Sequence, residues 1–91
     1  MAPVKYDELK IDHIVEFSKD STIFVAAREN GNTYLRIFLI NESTGHIYTR
    51  NGRADSWEEL IGSGRDTIIA RIIAARNNQV PVYKVNGEGP H

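Results

Sequence analysis

Between Leu9 and Arg50 the chain runs in short segments whose apolar residues recur at every second position, each segment closed by a polar turn. Period two is the mark of a strand, and turns this short join strands as antiparallel neighbours. In LKIDHIVEF, Leu9, Ile11, His13, Val15 and Phe17 alternate. Ile14 breaks that pattern, and Ile11, Ile14, Val15 and Ser18 also suit a helix face, so the strand is the favoured of two readings. Thr22 to Arg28 forms the second segment, with Ile23, Val25 and Ala27 inward and Phe24, Ala26 and Arg28 outward. The Asn-Gly pair of ENGN is typical of tight hairpins, because both residues tolerate positive φ. In the third segment, Thr33 to Ile40, the reading puts Leu35, Ile37 and Leu39 inward. Tyr34, Arg36, Phe38 and Ile40 then face outward, joined after the NESTG turn by His46, Tyr48 and Arg50 of a fourth strand.

The period then changes. Asp55-Ser56 supplies N-cap residues, and Glu58 and Glu59 suit the positive end of a helix dipole, with Trp57, Leu60 and Ile61 on the apolar side. Gly62-Ser63-Gly64 should bend this helix, since glycine weakens a helix interior by about 1 kcal/mol relative to alanine. Beyond it, Ile68, Ile69, Ile72 and Ile73 form a stripe at helical spacing. VPVYKV can add a short edge strand, where Pro81 is tolerated, and residues 86–91 read as a loose tail. The expected fold is α+β: a four-stranded antiparallel sheet followed by a bent C-terminal helix that covers one face and leaves the other open.

The chain has 91 residues, which fits a single domain, with a core over about residues 9–78. It contains no cysteine, which excludes a disulfide framework and a thiolate metal site. No apolar run is long enough to span a bilayer and no targeting segment is visible, so a soluble, cytoplasmic, non-secreted protein is expected. The net charge of −1 is unlike that of a general nucleic-acid binder. The signs are nevertheless segregated: acids gather near Asp7–Glu16 and Asp55–Glu59, and arginines in between.

The expected open face carries Phe24, Arg28, Tyr34, Arg36, Phe38, Tyr48 and Arg50, with Arg53 just beyond. Aromatic rings offer surfaces on which unpaired bases stack, and arginines neutralise phosphates or stack themselves. Tyrosine, phenylalanine and arginine are equally typical of protein interfaces. From the residues alone, a strand of nucleic acid and a protein partner are both open.

In its element order and spacing the chain resembles the positive cofactor 4 family of single-stranded-DNA-binding transcriptional coactivators, which have a whirly-like fold. The resemblance runs from VEFSKDSTIFVAAR through TYLRIFLI to YTRNGRADSWEELIGSGRDTIIARI, roughly Val15 to Ala75. It implies a homodimer with Ile68, Ile69, Ile72 and Ile73 at the subunit contact, Trp57 packed inward, and single-stranded DNA on the sheet. Its processes would be transcription, replication or recombination, with proteins of those processes as further partners. The chain departs from the pattern at Arg28 and at Ile40-Asn41, where the family places aromatics, and at Asn51, where it has lysine. It also lacks the serine- and lysine-rich tail of eukaryotic members, which suggests a bacterial or phage version. The alternative is a small interaction module, for example a phage-encoded inhibitor, using the same face on a host protein.

Little points to chemistry. His13, His46 and His91 lack ligand spacing, and GSGRDT lacks the Lys-Ser/Thr of a phosphate-binding loop. No nucleophile, base and orienting group stand together, so neither enzymatic activity nor a cofactor or metal is expected.

Overall fold

A computed structural model describes residues 4–29, 35–51 and 56–90. Among them, six strands and one α-helix form an α+β fold. The elements in chain order are β1 (Lys10–Phe17), β2 (Thr22–Arg28), β3 (Leu35–Asn41), β4 (Ile47–Asn51), β5 (Glu58–Leu60), α1 (Gly62–Asn77) and β6 (Val82–Val85). The sheet order is β5-β4-β3-β2-β1-β6, antiparallel throughout except for the parallel pairing of β1 with β6. The expected sheet of four antiparallel strands is thus the centre of a mixed six-stranded one. Tyr34, Arg53 and the turns containing Gly31 and Gly52 lie outside the described residues.

The irregularity at Ile14 has a structural cause. Ile11 faces Ala27 and His13 faces Ala26, so Asp12 is the extra residue of a β-bulge. A bulge shifts the alternation by one. Ile11 and Ile14 therefore both point into the core, while His13, Val15 and Phe17 pass to the other side.

Two expectations are corrected. SWEEL does not start the helix: Glu58–Leu60 pairs antiparallel with β4, placing Leu60 beside Ile47 in the core. The helix starts at Gly62, whose φ of +68° suits glycine, so the GSG segment opens α1 instead of bending it. The second correction concerns β3. Phe38 pairs with Val25 and Thr49, and Ile40 with Ile23 and Ile47, which puts both beneath α1; Phe38 is 0% exposed. Ile37 and Leu39, expected inward, belong to the opposite face. β3 is apolar on both faces, so its alternation carried no information on which face is which.

The helix leaves the β5 edge and the chain returns at the β1 edge as β6, so α1 spans the sheet. Ile68, Ile72 and Ala75 are buried against Phe38, Ile14, Val25 and Ile47. Arginines fasten it at both ends and the middle. Arg65 donates to the Gly45 carbonyl (3.1 Å), Arg71 to the Leu9 carbonyl, and Arg76 to Glu16 and Glu42 (3.0 Å each). Burial alone would lower the Arg76 pKa, but the hydrogen bonds and charges of Glu42 and Glu16 outweigh it and hold the group above its ordinary value. Ile68 and Ile72 are thus consumed by the core of a single chain. Of the expected contact stripe, Ile69 is half-buried against that core and Ile73 is 55% exposed.

Phe38→Ala is expected to cost about 3–5 kcal/mol in urea unfolding, because it empties the centre of the core. Ile73→Ala should stay within about 0.5 kcal/mol at every protein concentration. A concentration-dependent loss at Ile73 would instead show a dimer contact on the helix.

Candidate functional site on the uncovered sheet face

Cross-strand partners share a face, so the registers define what lies opposite α1. One row crosses all six strands: Tyr83, Val15, Phe24, Leu39, Tyr48 and Glu59. A neighbouring row runs His13, Ala26, Ile37 and Arg50, and on the other side Phe17, Thr22 and Asn41. The His13 and Tyr83 rings meet edge-on at 5.9 Å, which ties β6 into this surface.

Trp57 also belongs here. It precedes β5 with the same parity as Glu59, and its ring lies 5.0 Å from the Arg50 guanidinium, a cation–π pair. The inward packing of Trp57 that the resemblance implies is therefore corrected: the ring lies against Arg50 on this face. Between Trp57 and the β1–β2 turn lies a cleft of about 380 Å³, with Tyr48 and Leu39 among its apolar walls and Thr22, Asn41 and Asp20 on its polar side. Asn41 Oδ1 accepts from the amides of Ser43 (2.9 Å) and Thr44 (3.2 Å), which leaves the Nδ2 protons to donate.

The structure therefore brings together Phe24, Arg28, Tyr48 and Arg50 of the expected set. It removes Phe38, which is core, and Arg36, whose register places it on the helix side. There its Nε donates to Glu29 Oε1 (3.1 Å) and its side chain is only 14% exposed. Arg53 and Tyr34 lie outside the described residues. Trp57, Leu39, Thr22, Asn41 and Tyr83 were missed. Alternation read backward from Leu60 would have found Trp57, and the short VPVYKV strand would have found Tyr83.

The charge on this face is mixed. Arg28, 57% exposed, donates to Asp12 Oδ2 at 2.8 Å, and Asp12 owes its position to the bulge. His46 Nδ1 lies 2.8 Å from Glu59 at the far end of the long row. No group of three or more metal-ligating side chains occurs among the described residues, and no helix there is long and apolar enough to cross a membrane.

The chain matches no family model, no curated protein and no solved structure.

Trp57 is the only tryptophan, so its fluorescence reports on this face alone. Arg50→Ala should increase acrylamide quenching of Trp57 and cost about 0.5–2 kcal/mol in stability, the range for a partly buried cation–π pair. Unchanged quenching would place Trp57 away from Arg50.

Proposed function

We propose that this is a single-stranded-DNA-binding protein that stacks bases on the uncovered sheet face, as in the positive cofactor 4 family it resembles. The observation that carries the reading is the row Phe24–Leu39–Tyr48, with Trp57 and Arg50 beside it. Tyr48 is 40% exposed in the middle of the sheet, where an aromatic ring meets either solvent or a ligand. Base stacking on such rings is worth about 1–3 kcal/mol per base and tolerates any sequence. Arg50 lies one row from these rings and Arg28 two rows away on the same side, where the backbone of a strand stacked on the row would pass. Duplex DNA is the poorer ligand, because its bases are already stacked. The protein would serve wherever single strands are exposed, in transcription, replication or recombination.

One observation favours a second reading. Ile37 and Leu39, returned to this face by the β3 register, are already buried (5% and 9% exposed), but Tyr83 (56% exposed), in the same row as Tyr48, leaves an aromatic surface equally suited to a protein partner. Salt separates the two, because strand binding releases counterions and an apolar interface does not.

Fluorescence anisotropy of a labelled single strand of about 20 nucleotides, longer than one comparable site, tests the proposal beside a duplex control. Two neutralised phosphates set an upper limit of about −1.4 on the slope in log affinity against log salt, and Arg28→Ala should reduce it by no more than about 0.7, because Asp12 already pairs with Arg28. Tyr48→Ala and Trp57→Ala should each weaken binding by roughly tenfold or more. Absence of binding by the parent at micromolar concentration would leave the protein-partner reading.

A further inference from the structure

The cleft beside Trp57 and Tyr48 is not open on every side, because Pro90 of the same chain contributes to its lining. The segment carrying Pro90 leaves β6 and is fastened to the β1–β2 turn through polar groups. The Ser18 amide donates to the Val85 carbonyl (3.1 Å) and the Lys19 amide to the Gly87 carbonyl (3.0 Å). Ser18 Oγ donates to Asn86 Oδ1 (3.2 Å), and the Gly89 amide donates to Asp20 Oδ2 (2.9 Å). The same Asp20 carboxylate accepts from the Thr22 amide through Oδ1 (3.2 Å), so one side chain both shapes the turn and holds the segment.

Gly89 is buried, and its approach to β2 is closer than any other residue type allows. A Cβ there would lie 2.7 Å from Thr22 Cγ2 and 2.9 Å from Thr22 Cβ. Thr22 is a β-branched residue within a strand and cannot swing aside cheaply. The loose tail expected from composition is, over residues 86–90, a seated segment. Its neighbours Asn86, Glu88 and Pro90 are nevertheless exposed, so it is held by a few hydrogen bonds with little apolar burial. Segments of that kind open at far lower free energy than the core does.

We propose that Asn86–Pro90 is a latch that narrows the aromatic cleft from one side and competes with whatever enters it. For the identity of the competing ligand, the proposal rests on the single-strand reading of the same face. The latch divides the chain between a closed form, with Pro90 at the cleft and Tyr48 40% exposed, and an open form in which Tyr48 and Trp57 are more fully accessible. Apparent affinity is then the intrinsic affinity reduced by the open fraction.

Gly89→Val tests this, since the added side chain cannot be seated against Thr22 while the core is left untouched. Ser18→Ala, which removes only the bond to Asn86, is the milder second variant. Both are read by acrylamide quenching of Trp57, which needs no nucleic acid, and by anisotropy of the labelled single strand. The expected result is stronger quenching in Gly89→Val and a smaller increase in Ser18→Ala. Strand affinity should rise roughly three- to tenfold in Gly89→Val, as for an open fraction of about a tenth to a third in the parent. Equal quenching in parent and variants overturns the latch. Stronger quenching with unchanged strand affinity overturns its regulatory role. Stronger quenching with no strand binding by any form supports the latch and rejects the single-strand reading instead.

Discussion

Phe38 lies at the middle of the central strand, flanked by Val25 on one side and Thr49 on the other, with the Tyr6 ring edge-on at 6.3 Å. Its burial under α1 fixes the register of β3, and that register decides what every neighbouring strand presents on each face. Thr49 reinforces the arrangement: it is buried, and its Oγ1 donates to the Ile37 carbonyl at 3.0 Å. A slip of one residue would take Phe38 out of the core and bring Ile37 and Leu39 under the helix. The cost is the difference in packing between Phe38 and the aliphatic side chains that would replace it, together with the Thr49 hydrogen bond, about 1 kcal/mol. The composition of the uncovered face therefore follows from packing on the covered one.

The strands β1 to β4, the β1–β2 and β3–β4 turns and the antiparallel order were legible because alternation and turn residues act locally. The faces were legible where one parity was plainly apolar, as in β2, with Ile23, Val25 and Ala27 inside. They were hidden in two places for different reasons. β1 contains a bulge, and the one sign of it in the sequence was the out-of-phase Ile14. In β3 both parities are apolar, and the pairings that decide between them are long-range. β5 was misread because Asp55, Ser56 and two glutamates mimic a capped helix start, while its strand character comes from Leu60 pairing beside Ile47. Local propensity lost there to burial of a single leucine.

The arginines show how charge segregation along a chain can mislead. They suggested a basic patch, but most are structural. Arg65, Arg71 and Arg76 hold α1 to the sheet through backbone carbonyls and a glutamate pair, and Arg36 pairs with Glu29 on the helix side. A guanidinium suits such work, because its planar fork satisfies several acceptors while its stem covers apolar surface. Within the described part of the expected set, this leaves Arg28 and Arg50 on the uncovered face, and each is already engaged, one with Asp12 and the other with Trp57.

That economy of charge shapes the kind of binding the face can support. A phosphate reaching Arg28 must displace a carboxylate already 2.8 Å away, so the exchange gains only the difference between two charge-assisted bonds. Arg50 carries its charge over an indole, where approach of an anion and stacking of a base on Trp57 compete for the same space. With a net charge of −1 there is little long-range attraction to draw in a polyanion. Any binding on this surface would draw its free energy mainly from the exposed rings, Tyr48 and Tyr83, leaving water, since Ala26, Ile37 and Leu39 are already buried, with arginines setting orientation more than strength. Under the proposed function, such a face would suit ligands with flat apolar surfaces spaced along a chain, which single strands have and duplexes conceal.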